Sequence, residues 1–280
     1  MKLSHGEGLA ARKRNHWRRA LRLRIIAGSF ERRTLSENYL GGTSEVRMSK
    51  SIGRAFSLLA VLVVAGSLVA ADVWKDKDYK QWDEKDATKI MNDSPWAKNV
   101  VVGQYWTAGS QPGTSSGGQA TAPSANMPLA SFHVRWISSV TMHRAIARDF
   151  VLARGGTQDK ADEFANETPD TYDLVVLGAD MYPFGTLDTG DAVQQLDQKT
   201  FLESKEAKLH VAAVKAEVTR GTDNKTVSAV TFHFPKKNPD GSPLFGPGMK
   251  GVDFVCTTGK AEIKAHFDFT KMIGQNGLDL

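Results

Sequence analysis

Five histidines follow residue 71: His133, His143, His210, His233 and His266. An imidazole can hold a metal, carry a proton or activate a nucleophile, and each task needs a second group in reach. No two of the five stand at a ligand spacing such as H-x-x-x-H, so no local metal motif is present. His133 and His143 could meet only through the fold. Otherwise the five read as surface or hydrogen-bonded structural side chains. Asp173, Asp180, Asp188 and Asp191 lie close together in sequence, and Asp180 follows the longest apolar strand-like run. Carboxylates at strand ends do chemistry in α/β sheets, and paired carboxylates serve acid–base work. The competing reading is a solvated loop, with Asp188 or Asp191 capping a helix.

The remaining candidates fail on spacing. Ser138-Ser139 has no G-x-S-x-G elbow around it. Gly246-Pro247-Gly248 and Gly117-Gly118 match neither the dinucleotide fingerprint nor the phosphate loop, and Pro247 removes a backbone donor that an anion nest would need. Cys256 follows Phe254-Val255 in a strand-like run and reads as a small buried hydrophobe. It is the only cysteine, so no intramolecular disulfide can form. Asn92, Asn166 and Asn224 open N-x-S/T triplets, which matter only in a eukaryotic secretory host. Trp74, Trp82, Trp96, Trp106 and Trp136 would stack on sugars or partner surfaces if exposed, but core is the expectation. Catalytic residues stay unassigned, and neither a cofactor nor a metal is expected.

The first segments of the chain concern its address. Met48 to Arg54 is short and basic, Ala55 to Val69 is apolar and uncharged, and Val69-Ala70-Ala71 offers a small-residue cut before Asp72. Together they predict a signal peptide over 48–71 and an exported protein, periplasmic or extracellular. An uncleaved anchor is the alternative; the apolar run is short for a span of about 20 residues. Residues 1–47 are crowded with arginine. They read as a segment ahead of the true start at Met48, against a nucleic-acid arm or an amphipathic surface helix. Arg18-Arg19 and Arg32-Arg33 resemble twin-arginine signals but stand 20 or more residues before the apolar run.

Charge follows from that division. Residues 1–71 hold 13 of the 36 basic and 4 of the 31 acidic residues. The chain from Asp72 onward therefore carries 23 and 27, net −4, which gives no electrostatic drive toward phosphate backbones and argues against nucleic-acid binding. Its 209 residues suffice for a core.

Periodicity then predicts the framework. Asp83 caps a helix over Glu84–Asp93, and a strand runs from Val100 to near Trp106 within an N-terminal polar and aromatic segment, 72–106. Residues 107–128 are uncharged and rich in Gly, Ser and Thr, and read as a flexible loop. Over 129–280 an α+β domain is expected, with 72–280 as one unit. In it, a strand over Ser131–Val140 leads to a helix capped by Thr141, running Met142–Arg154 and stopped by Gly155-Gly156. A short helix over Gln158–Glu167 precedes a strand over Tyr172–Ala179, whose Leu174-Val175-Val176-Leu177 suits burial on both faces. A short helix or turn over Asp191–Gln198 and strands over Thr200–Leu202 and Val211–Arg220 follow. Thr226–Phe234 alternates, and after a Pro/Gly loop Gly251–Thr257 and Lys260–Phe269 close an antiparallel meander. Ile263, Ala265, Phe267 and Phe269 share one face of the last strand; Lys264, His266 and Asp268 share the other.

Two stretches carry a resemblance. Lys75-Asp76-Lys77-Asp78-Tyr79, Trp82 and Asp93-Ser94-Pro95-Trp96-Ala97 open the pattern, Arg135-Trp136 before Ala145 continues it, and Phe232-His233-Phe234-Pro235, Val252-Asp253-Phe254-Val255 and Phe267-Asp268-Phe269 with Lys271-Met272 close it. This resembles a group of uncharacterised exported bacterial proteins. The resemblance implies bacterial export and a single α+β unit, and supplies no activity. The expectation is thus an exported, non-catalytic binding or envelope-associated protein, with an envelope protein or a carbohydrate as partner. The alternative is an exported hydrolase or metal-dependent enzyme built on dispersed Asp and His.

Overall fold

The structure, a computed structural model, describes residues 72–102, 130–185, 187, 190–259 and 261–280. The arginine-rich segment, the expected signal peptide, Trp106, the loop 107–128 with Gly117-Gly118, Asp188 and the side chain of Asp191 lie outside the described residues.

The fold is α+β, with five α-helices and eleven strands among the described residues, and every described pairing is antiparallel. A short helix α1 (Val73–Asp76) and a 3-10 turn at Tyr79–Gln81 precede α2 (Glu84–Asn92). Asp83 caps α2 reciprocally: its carboxylate accepts from the Asp86 amide at 2.8 Å, and the Asp86 carboxylate accepts from the Asp83 amide at 3.3 Å. Ala87, Ile90 and Met91 form its buried face.

The first sheet has the order β1 (Ala97–Val102), β2 (Ala130–Trp136), β3 (Thr171–Gly178), β7 (Val227–Pro235) and β6 (Lys215–Arg220). The second has the order β5 (Leu209–Ala212), β4 (Thr200–Ser204), β8 (Gly251–Thr257) and β9 (Glu262–Asp268). A terminal hairpin pairs β10 (Ile273–Gly274) with β11 (Gly277–Leu278). The sheets pack through aromatic side chains. Phe232 and Phe234 meet Phe254, and Trp136 sits among Tyr172, Phe245, Phe267 and Phe269 with ring centroids 5.2–6.0 Å away. Burying each such side chain contributes on the order of 2 kcal/mol.

The other face of the first sheet carries helices. There α2 packs on β1 and β2, α3 (Val140–Arg154) packs on α2, and α4 (Gln158–Ala165) packs on α3. With the second sheet on one side and helices on the other, Leu174 to Leu177 of β3 are fully buried, as a continuous apolar run predicts. Helix α5 (Gly190–Asp197) packs against β6.

Three expectations need correction. The strand expected over Ser131–Val140 stops at Trp136, and α3 starts at Val140 with Ser139, not Thr141, as its cap. Thr141 is instead inside the first turn. The run Val211–Arg220 is two strands in different sheets: the chain leaves β5, crosses at Ala213-Val214 and enters β6. Val211-Ala212-Ala213-Val214 holds no Gly, Pro, Asn or Asp to mark the change of sheet in sequence.

Candidate functional site

An enclosed polar cluster sits on the helix-facing side of the first sheet, where β3, β7 and β6 run side by side. Register sets it: Asp173 of β3 lies opposite His233 of β7, and His233 lies opposite Lys215 of β6. Glu217 is two residues further along β6, so its side chain shares that face. His233 Nδ1 is 2.7 Å from Asp173 Oδ1, and Nε2 faces Glu217 Oε2 at 3.9 Å, beyond hydrogen-bond reach. Thr171 Oγ1 donates to Asp173 Oδ1 at 2.6 Å, and Lys215 Nζ donates to Glu217 Oε1.

The charges reinforce one another. Burial by itself pulls the His233 ring toward neutrality, yet the hydrogen bond to Asp173 and the negative charges of Asp173 and Glu217 outweigh it and raise its pKa to about 9. The His233 ring, aided by Lys215, in turn holds Glu217 down at about 2 against the opposing effect of burial. Asp197, at the end of α5, takes the Ala216 amide, and burial raises its pKa. His233 is therefore an imidazolium at neutral pH.

That state decides the chemistry. A general base needs a neutral Nε2, and a nucleophile must stand within about 3 Å of it. Among the described residues no hydroxyl or thiol bonds to His233 Nε2. Thr231 shares its face, but its buried Oγ1 makes no hydrogen bond. The cluster is an ion network tying three strands together.

A second arrangement lies on the solvent side of the second sheet. His210, Glu203, Asp253 and His266 fall in one row across β5, β4, β8 and β9. His266 Nδ1 is 2.6 Å from Asp253 Oδ1, and His210 Nδ1 is 3.8 Å from Glu203 Oε2. Lys264 Nζ bridges the two carboxylates, 3.0 Å from Asp253 Oδ2 and 3.4 Å from Glu203 Oε1. The His210 ring stacks on Phe201 at 4.2 Å. Lys264 takes the position between carboxylates that a cation would favour, and among the described residues no three His, Cys, Asp or Glu converge to hold a metal.

The sequence candidates are dispersed. His143 is buried in α3 with its ring tilted against Phe164, centroids 4.7 Å apart, and His133 lies partly buried in β2. Asp180 is exposed and accepts from the Tyr182 amide at 2.8 Å, a turn cap. Of the two described ones, Asp173 and Asp180, only Asp173 enters the ion network. Ser139 Oγ accepts from the Met142 amide and so caps α3, while Ser138 is buried. Gly246-Pro247-Gly248 lies in the open loop after β7. Burial pushes the Cys256 thiol up to about 12. Asn92 accepts from Arg135 at 2.7 Å, Asn166 bonds back to α4, and Asn224 adopts φ 55° in the β6–β7 turn. Trp74, Trp82, Trp96 and Trp136 are all buried, so none offers a stacking platform.

Lys215, Glu217 and Glu203 carry no motif. Their only signal in sequence is alternation, which places Lys215 with Glu217, and Lys264 with His266, on one face. An open cleft of ≈ 650 Å³ beside α2 is lined by Asp83, Glu84, Lys85, Thr88, Lys89, Asn92 and Asp93, with neither an imidazole nor a hydroxyl–base pair. Among the described residues no helix is long and apolar enough to cross a membrane. Comparison with protein-family models, with curated proteins and with solved structures returns no match.

Proposed function

We propose that this chain is an exported, non-catalytic binding protein of the bacterial envelope or exterior, and that the solvent side of its second sheet meets the partner. The observation that carries the non-catalytic part is the closure of His233 between Asp173 and Glu217, which leaves an imidazolium with nothing to activate. Export is supported by the basic, apolar and small-residue succession from Met48 to Ala71. The sheet face supports binding because it is open and carries two imidazoles, two carboxylates and a stacked aromatic ring in one row. A protein partner suits it better than a sugar, given the burial of Trp74, Trp82, Trp96 and Trp136.

The test pairs address with capture. Protein recovered from the periplasm or medium should begin near Asp72 by mass spectrometry. Immobilised protein should retain a partner from detergent-free envelope extract, and the double variant Glu203→Lys, Asp253→Lys should not. A protein that stays in the cytoplasm, or one that retains nothing from the extract, would count against the proposal.

One observation favours a second reading, an exported hydrolase or metal-dependent enzyme: Asp173 and His233 lie at the 2.7 Å separation of an orienting carboxylate and its imidazole. A broad hydrolase screen with metal analysis decides between them. Turnover abolished by His233→Gln would support the enzyme; no metal and no turnover would remove it.

A further inference from the structure

The outer strands of the two sheets are β1, β6, β5 and β9, and their edges are not alike. Along β6, Asp197 takes the outward Ala216 amide and the Arg220 guanidinium donates to the Leu187 carbonyl at 2.8 Å, so α5 and the segment before it lie over that edge. Strands β1 and β9 lie against each other, with Lys98 Nζ 5.9 Å from the centre of the Phe267 ring. The edge of β5 has no such cover among the described residues. The Ala213 amide donates to the Thr200 carbonyl at 2.9 Å, so strand alternation turns the amides and carbonyls of Leu209 and Val211 toward β4 and those of His210 and Ala212 outward. Among the described residues nothing pairs with these outward amides. Nor does β5 carry the usual protection of an open edge: between Lys208 and Lys215 there is no carboxylate, ammonium or proline, its register is unbroken, and the adjoining Val214 is 60% exposed.

The strand is also complementary to itself. Leu209 and Val211 are half-buried, and His210 and Ala212 between them are exposed. Two antiparallel copies related by a twofold axis at Val211 set His210 opposite Ala212, Val211 opposite Val211 and Leu209 opposite Ala213. Half-buried side chains then meet half-buried ones, and solvent-facing side chains meet solvent-facing ones. On the solvent side the small Ala212 falls between Phe201 of its own molecule and His210 of the second, so large and small side chains alternate across the junction. This register joins His210 and Ala212 in two reciprocal pairs of backbone hydrogen bonds. A slide by one step of the repeat keeps a single reciprocal pair. The next partner would then be Lys208, at φ 51° with its amide held by the Lys205 carbonyl, or Val214, whose amide is held by the His233 carbonyl. Antiparallel pairing also keeps the two Lys208 side chains roughly 20 Å apart along the strands.

We propose that the edge of β5 pairs with β5 of a second copy of this chain, joining the second sheets of two molecules into one continuous sheet. A junction only Leu209–Ala212 long buries less than the roughly 1,200 Å² of a standard interface, so the dimer forms reversibly. The pairing does not depend on export.

The experiment uses the full 280-residue chain. Sedimentation equilibrium from about 5 to about 500 μM should show monomer passing into dimer. Val211→Cys places two thiols on residues about 4.5 Å apart at Cα and should give an intermolecular disulfide in oxidised glutathione. Leu209→Cys should not, because its two copies lie roughly 13 Å apart along the strands. The native Cys256 is buried and stays out of the exchange. His210→Pro removes an outward amide and spares those that face β4, so it should weaken the dimer at least about tenfold with circular dichroism unchanged. The cross-linking pair decides the matter if that variant does not fold. A monomer at every concentration would overturn the proposal and leave the edge to a strand from a different protein. Equal cross-linking at positions 209 and 211 would overturn it too, because the contact would then lack the register that makes β5 its own partner.

Discussion

His233 and Asp173 stand directly opposite each other on paired strands, with Nδ1 2.7 Å from Oδ1 and the aspartate almost fully buried. The folded protein thereby keeps a positive imidazole where an unfolded chain would release its proton near the ordinary value of 6.5. Because the folded value, about 9, lies above the unfolded one, the ring's contribution to stability is fully present below about pH 6.5 and is lost as pH rises through 9. The contribution is at most about 3 kcal/mol. Urea midpoints measured at pH 6, 8 and 10 should fall across this range, and His233→Gln should flatten that fall. A wild-type midpoint independent of pH between 6 and 10 would show that folding leaves the ring's pKa unshifted.

Asp279 is the next-to-last residue, yet it completes a helix whose first residue is Val140. Its carboxylate accepts from the Val140 amide at 2.7 Å and the Thr141 amide at 2.8 Å, amides with no partner inside α3. Ser139 serves the third, at Met142. The negative charge also suits the positive end of the helix. Asp279→Ala should cost about 1–2 kcal/mol, and Asp279→Asn less than that, since an amide oxygen still accepts. Thermal melts of the two variants, read by far-UV circular dichroism, give the ranking.

How much of this could be read in the sequence depends on range. Val227–Phe234 and the last strand were legible because each face of a strand is set by neighbours two residues away, and Phe267 and His266 do point to opposite sides. The Asp83 cap and the stop at Gly155, with φ 65°, are equally local. Asp173 and Glu217 could not be joined to His233 in the same way. Sixty residues separate Asp173 from His233, and only the order β3-β7-β6 brings the three together. The row His210–Glu203–Asp253–His266 is equally silent, since it is fixed by three registers that no one segment encodes. Thr141 was a plausible cap by type, but Ser139 has the extended backbone a cap needs, φ −70° and ψ 146°.

Cys256 offers a probe of folding. Its side chain is buried on the inner face of β8, where the thiolate would be deprived of water, and the thiol is pushed up to about 12. A thiol reagent at pH 8 should leave the native protein unmodified over hours and label it fully in denaturant. Labelling in native buffer should then follow the opening of the second sheet, rising with urea along the same curve as circular dichroism. Rapid stoichiometric labelling of the native state would place Cys256 at an accessible surface and contradict the packing of β8.

Gly251 tests that packing from the other side. A Cβ added there would come 2.5 Å from the Phe267 carbonyl oxygen and 3.2 Å from the His266 ring. The ring could rotate away, being more than half exposed. The carbonyl could not, because it belongs to the partner strand β9, so Gly251→Ala must push β8 and β9 apart at their paired end. The expected cost is on the order of 2 kcal/mol. Gly259, in the turn between the same strands, has nothing within 4 Å of an added Cβ, so Gly259→Ala should fall within about 0.5 kcal/mol of the parent. Chemical denaturation of the pair separates a steric cause from a general intolerance of alanine in this hairpin: loss at Gly251 alone requires the close approach of Phe267, whereas equal loss at both sites would place the cause in the turn.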